Sequence, residues 1–214
     1  MAKISILGGT GYAGAYIAAE AVARGHAVTS YSRSRPDKPA EGVGYRTGSA
    51  TDPATLAAAL DGADIVISAL AARGNMSRKV RPVIAELAAR ADAAGVRIGV
   101  IGGAGSLYAA EGGPLLADTP GFLESAKPLA REAVAVLEDL KASPASLDWF
   151  VLCPAAMFSS RHPGEKRGTY RLGDNVLVTD TDGKSYISGQ DFAVAMVDEI
   201  ESHAHSRARF TVAY

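Results

Sequence analysis

The stretch Lys3–Ile17, KISILGGTGYAGAYI, constrains this chain more than any other: a short apolar run, a glycine-rich turn, then an alanine-rich segment. It reads as strand, loop and helix. Gly8, Gly11 and Gly14 fall at G-x-x-G-x-x-G spacing, with a further glycine at Gly9, so backbone can approach a bulky group where a side chain would intrude. A helix starting there aims its first N–H groups and its positive dipole end at the same place. Together these make an anion site, and the anion such a site most often takes is a dinucleotide pyrophosphate.

Beyond this unit, strands and helices alternate as far as Ile101. A helix from Tyr12 to Arg24 is stopped by Gly25, and Ala27 to Ser32 is a second strand. A loop with Pro36, Pro39, Gly42 and Gly44 leads to a short strand around Tyr45. Thr51-Asp52-Pro53 opens a helix running to Leu60, and Asp64 to Ala69 is a nearly continuous apolar strand. Ser77 is placed to cap a helix reaching Ala94, with Val80, Val83, Ile84, Leu87 and Ala91 on one face; Gly95 ends it before a strand at Arg97 to Ile101.

This alternation predicts an α/β, Rossmann-like, doubly wound parallel sheet with helices on both faces. Further on, Leu129 to Ala142 reads as a helix and Trp149 to Leu152 as a strand. Thr169 to Leu172 and Val176 to Thr179 read as a hairpin about Gly173-Asp174-Asn175. Ser188 and Asp191 have capping-box spacing before a helix to Ser202, and Phe210 to Ala213 is a last strand. The expectation is one domain, 1–214, with a small C-terminal extension and a substrate side built from loops 102–128 and 153–190.

Composition removes several function classes. With 22 basic and 23 acidic residues the net charge is -1, which argues against a nucleic-acid partner. Cys153 is the only cysteine, so an internal disulfide and a thiolate-only metal site are excluded. His203 and His205 have no further ligand close in sequence, so no metal site is expected. Neither a signal-peptide pattern nor a run of about 18 apolar residues is present, and the expectation is a cytoplasmic protein that does not act at a membrane.

An NAD site usually places an acidic side chain roughly 20 residues past the glycines, on the ribose 2′-hydroxyl. Here the second strand ends Tyr31-Ser32-Arg33-Ser34-Arg35, with Lys38 near and no acid. Guanidinium groups suit a 2′-phosphate through paired hydrogen bonds, so NADP(H) is favoured over NAD(H).

The segments GGTGYAG, VTSYSR, DIVISAL, VIGGAGSL, DWFVLCPAAMF, RGTYRL and SYISGQDFAVAMVDEIE, in this order, carry a resemblance over essentially the whole chain. It resembles the atypical short-chain dehydrogenases of the NAD(P)H-binding, NmrA-like type, in particular bacterial NADH-flavin reductases and the biliverdin reductase B/flavin reductase group. The resemblance implies that Gly8, Thr10, Gly11, Tyr12 and Gly14 form the pyrophosphate loop and that Arg33 takes the 2′-phosphate. It also implies that Leu70, Ala71 and Arg73 pass under the riboses, that Gly103 and Ser106 lie near the nicotinamide, and that Pro154 with Ala155 lies beside the carboxamide. Two positions depart from that pattern: Ser49 stands where the group commonly has an aspartate near the adenine, and Ala155-Ala156-Met157 replaces a loop histidine. The second departure weakens any claim to a tetrapyrrole substrate.

Ordinary short-chain dehydrogenases use a Tyr-x-x-x-Lys pair to protonate an alkoxide, and none of the eight tyrosines has a lysine four residues on. A flavin or quinone asks less, because hydride passes to an electron-poor ring and water supplies the proton. Reduction of such an acceptor is therefore the expected activity, with flavin as a substrate or a bound group and Ser106 as the candidate catalytic residue. The same site also suits an NADP(H)-sensing protein that contacts a regulatory partner without turnover, and a reductase or epimerase using another acid stays open. Tyr108 and His162 lie in the substrate-side loops, where packing and solvation are their ordinary roles.

Overall fold

The computed structural model describes residues 1–214. Its strands are β1 (Lys3–Leu7), β2 (Ala27–Ser32), β3 (Val43–Thr47), β4 (Ile65–Ser68), β5 (Arg97–Ile101), β6 (Trp149–Pro154), β7 (Arg171–Gly173) and β8 (Ala208–Ala213). The helices are α1 (Tyr12–Ala23), α2 (Pro53–Leu60), α3 (Val80–Ala94), α4 (Lys127–Lys141) and α5 (Gly189–Ser202). All eight strands join one sheet in the order β3-β2-β1-β4-β5-β6-β8-β7. Every pairing is parallel except β7 with β8. The order reverses between β1 and β4, and ligands of such sheets bind in the crevice beyond the carboxyl ends at that switch point.

Side chains alternate between the two faces of each strand, and the core divides accordingly. Ile65 and Ile67 of β4, with Phe150 and Leu152 of β6, pack with Ile17 of α1 and Phe192 of α5. Val66, Val151 and Cys153 face the other way, onto Leu56, Leu87 and Leu137 of α2, α3 and α4. Each large side chain buried this way is worth about 1.5–3 kcal/mol, so the strands that carry the site loops are the most firmly held part of the fold.

Local chemistry explains the helix boundaries. The carboxylate of Asp52 accepts from Ala54 N at 3.1 Å, with Pro53 at the first helical position of α2. Gly95 closes α3 in the left-handed region at φ 66°. Ser77 is not the cap of α3: the helix begins later, after Arg78 at φ 60°, and Glu132 of α4 caps it by accepting from Arg78 N and Arg81 N, both at 3.0 Å. A cap supplied from another helix leaves no trace in local sequence. The expected hairpin is also absent: β7 pairs antiparallel with β8 instead, so the C-terminal extension adds its strands to the main sheet. Within the expected loop 102–128, short 3-10 turns form at Ala104–Ser106, Leu116–Asp118 and Glu124–Ala126. No helix is long and apolar enough to cross a membrane.

Candidate dinucleotide site

The topology gathers the predicted residues along one edge of the sheet. Gly8, Thr10, Gly11, Tyr12 and Gly14 follow β1, Arg33 follows β2, Ser49 follows β3, and Leu70, Ala71 and Arg73 follow β4. Gly103 and Ser106 follow β5, and Pro154 ends β6. Backbone bonds hold the loops at the strand tips: Gly8 N to Tyr31 O (2.8 Å), Gly48 N to Ser32 O (2.9 Å), Ala69 N to Leu7 O (2.9 Å) and Gly102 N to Leu152 O (2.9 Å).

The glycines at the first turn are required sterically. Gly8 lies at φ +80°, and a Cβ there would stand 3.0 Å from the Ala69 carbonyl oxygen. A Cβ at Gly14 would stand 2.4 Å from the Gly8 carbonyl oxygen and 2.8 Å from Gly9 Cα. Helix α1 is thus pressed against the turn by backbone alone. Its first turn has neither a side-chain cap nor an acidic residue, and its first backbone bond, Ala15 N to Gly11 O at 2.9 Å, leaves the amides of Tyr12, Ala13 and Gly14 for an outside acceptor. Beneath Gly9 lies Ser30, whose buried hydroxyl has no partner in the chain; a Cβ at Gly9 would stand 2.3 Å from it. An uncapped helix, backbone-only walls and an unpaired hydroxyl beside them fit a pyrophosphate. Ser30 was missed in the sequence, although a serine at the centre of the strand AVTSYS was the available signal.

Other predicted residues prove to have structural partners. The Tyr12 ring packs against Tyr16 (5.4 Å) and Phe158 (5.2 Å), and its hydroxyl donates to the Pro163 carbonyl at 3.3 Å, so its side chain ties α1 to the loop after β6. Ser49 bonds the Thr51 hydroxyl at 2.8 Å within its own turn. The Ser106 hydroxyl, 2% exposed, donates to the Gly103 carbonyl at 2.7 Å and lies 3.7 Å from Cys153 Sγ. Its placement is turn chemistry that shapes the Gly102–Ser106 segment. Burial pushes the Cys153 thiol up and keeps it protonated. Arg33, Ala71 and Arg73 are exposed, whereas Leu70 is partly buried against the core.

His203 pairs with Asp148 at 2.7 Å and His205 with Glu199 at 2.6 Å, at the opposite end of the sheet from the glycine turn. A groove of about 510 Å³ also lies apart from these loops, beside α2 and over β1 to β3; its lining includes Thr29, Tyr31, Arg46 and Asp61.

Residues 8–203 match the NAD(P)H-binding family. The chain belongs to that family. Among its relatives, the uncharacterized protein YwnB of Bacillus subtilis (strain 168) is 35% identical over 212 residues, covering 98% of this chain and 97% of the relative. A Burkholderia pseudomallei structure provisionally named an exported protein is 40% identical at a TM-score of 0.87, covering 100% of both chains. One from Streptococcus pneumoniae TIGR4, provisionally named an NADH-flavin reductase, is 33% identical at a TM-score of 0.83, covering 100% of this chain and 99% of that one. The family match and the reductase name of the Streptococcus pneumoniae neighbour support an NAD(P)H-binding domain of oxidoreductase type.

Proposed function

We propose that this NAD(P)H-binding protein is an NADPH-preferring reductase of flavin or quinone-type acceptors, working in the cytoplasm without a metal, nucleic acid or membrane partner. The observation that carries the reading is the uncapped α1 N-terminus closed in by glycine backbone, beside strand-end loops that hold no Tyr-x-x-x-Lys pair. The amides at the start of α1 would hold the pyrophosphate, and the exposed Arg33 would take the 2′-phosphate. When bound, the reduced nicotinamide supplies the hydride. Ser106 positions rather than reacts, because its hydroxyl fixes the Gly103 carbonyl and with it the turn beyond β5. Tyr108 and Met157, 42% and 47% exposed, offer apolar surface against which a planar acceptor can lie. Holding two rings in register is most of what such a transfer requires, since the acceptor's electron-poor ring takes the hydride and water supplies the proton.

NADPH consumption measured with FMN, FAD, riboflavin and small quinones tests this reading. Turnover with at least one of them is expected, and Ser106→Ala should retain kcat within about threefold, as a lost neutral hydrogen bond worth ~0.5–1.5 kcal/mol reaches the chemistry only through the turn. NADPH binding without oxidation by any acceptor would favour the second reading, a redox sensor, which the committed Ser106 hydroxyl also suits.

A further inference from the structure

We propose that Asp191 and Tyr214 form a latch that holds residues 159–168 against the first turn of α1 and so raises the affinity of the adjoining site for its dinucleotide. The inference rests on the assignment of that site to NADPH.

Asp191, at the start of α5, is 0% exposed. A buried carboxylate is tolerated only when it is well bonded, and here donors converge from four residues. They are Arg167 N (2.7 Å), Gly168 N (3.0 Å), the Ser188 hydroxyl (3.1 Å) and the Tyr214 hydroxyl. The carboxylate bonds no backbone amide of the helix itself. Ser188 caps α5 by accepting from Asp191 N at 3.0 Å, and the returning half of the capping box is made by Tyr214, whose hydroxyl oxygen accepts from Ser188 N at 3.3 Å. Asp191 is thereby released to face residues 167 and 168. Tyr214 extends the hold: its hydroxyl lies 3.1 Å from the Glu165 carbonyl oxygen, and the Arg167 guanidinium sits over its ring at 4.0 Å.

The far end of the same segment meets the dinucleotide site. Tyr12, the first residue of α1, donates its hydroxyl to the Pro163 carbonyl, which also accepts from Gly189 N at 3.4 Å. Phe158 packs between Tyr12 (5.2 Å) and Phe192 (4.7 Å). Residues 160–169 are all exposed, so the segment has no core of its own and owes its order to these ties. Two of its cations are engaged within the chain, since Lys166 pairs with Glu20 (3.4 Å) and Arg167 stacks on Tyr214. Asp191 and Tyr214 are positioning residues: they act on the site through the backbone of the latched segment and through Tyr12.

Arg161, Lys166 and Arg167 make the segment its own reporter for limited trypsin digestion. In Tyr214→Phe and in Asp191→Asn, cleavage at these three positions should quicken roughly tenfold, as expected for losing one bond to a charged group, and the double variant should go little further. Melting temperature should change little in Tyr214→Phe, which keeps the ring. The Kd for NADPH, read from its fluorescence, should rise by about the same factor, and kcat at saturating NADPH should stay within about twofold. Faster cleavage with an unchanged Kd would overturn the latch, as would a fall in melting temperature with cleavage spread over the whole chain. A wild-type chain that bound no NADPH would instead sink the underlying assignment of the site. Faster digestion of the variants would in that event still report the physical tie.

Discussion

Gly14→Ala isolates the central claim, that backbone packing at the glycine turn creates the anion site. The added methyl would begin 2.4 Å from the Gly8 carbonyl oxygen, whereas ordinary contact starts at 3.4 Å, so helix and turn must separate by about 1 Å. Gly8 cannot yield easily, because its N–H is bonded to Tyr31 O and its carbonyl accepts from Gly11 N at 3.0 Å. Overpacking costs about 1–3 kcal/mol, and replacing a helical glycine by alanine returns about 1 kcal/mol, so the net loss of stability is only ~0–2 kcal/mol. Affinity should suffer more. A shift of that size removes at least one amide from reach of a phosphate, and a bond to a charged group is worth about 1.5–3 kcal/mol, or roughly 10- to 150-fold in Kd. Thermal unfolding and an NADPH fluorescence titration on the same protein separate the two effects. A variant that folds and binds NADPH within about threefold of wild type would refute the reasoning.

Two other outcomes follow from charges at the site and beside it. Arg33→Ala should lower the preference for NADPH over NADH by about tenfold or more, through loss of a paired guanidinium–phosphate contact, and comparing kcat/KM for the two cofactors measures it; an unchanged ratio refutes the assignment. The second outcome concerns pH. Burial pushes the Asp191 carboxyl up, but the bonds from Tyr214, Arg167 N, Gly168 N and Ser188 outweigh it and leave its pKa below the ordinary value. A carboxylate held low stabilises the fold above its unfolded pKa of about 3.9, and that contribution disappears as pH falls through the folded value. The stability difference between wild type and Asp191→Asn, from urea unfolding, should therefore be constant from about pH 7 to 5 and shrink below about pH 4. Asp139 and Glu201 are also held low, by Arg81 and chiefly by His26 respectively, but both proteins contain them and they cancel. A difference that grew on acidification would contradict the argument.

The parallel sheet was legible because its evidence is local. Apolar runs, Gly25 and Gly95 after helices, and Asp52-Pro53 before one each act within a few residues. The clustering of the candidate dinucleotide residues then followed, since parallel topology brings every strand-end loop to one edge. What stayed hidden depends on distant partners. Glu132 caps α3 from 54 residues beyond Arg78, β7 selects β8 rather than its neighbour in sequence, and the Ser106 hydroxyl turns into its own loop. The Ser188–Asp191 spacing was readable, but its full meaning was not. One half of the box forms as expected, and the other is taken over by Tyr214 from 26 residues away.

That substitution bears on why α1 in particular is the candidate ligand helix. Its first turn packs directly against that of α5, so closely that a Cβ at Gly189 would stand 2.8 Å from the Tyr12 hydroxyl. Two helix N-termini thus meet at one corner, each with unsatisfied amides and a positive end. At α5 the chain answers with its own oxygen atoms, the Ser188 hydroxyl and the Asp191 carboxylate. At α1 it supplies no side-chain cap, and Gly11 stands where an oxygen-bearing residue would have blocked the approach. The difference makes α1 the helix whose electrostatics an external anion must complete. It also places the internal anion of α5 where it can hold the loop that flanks that guest, so binding and loop order are coupled through Tyr12 without a catalytic side chain taking part.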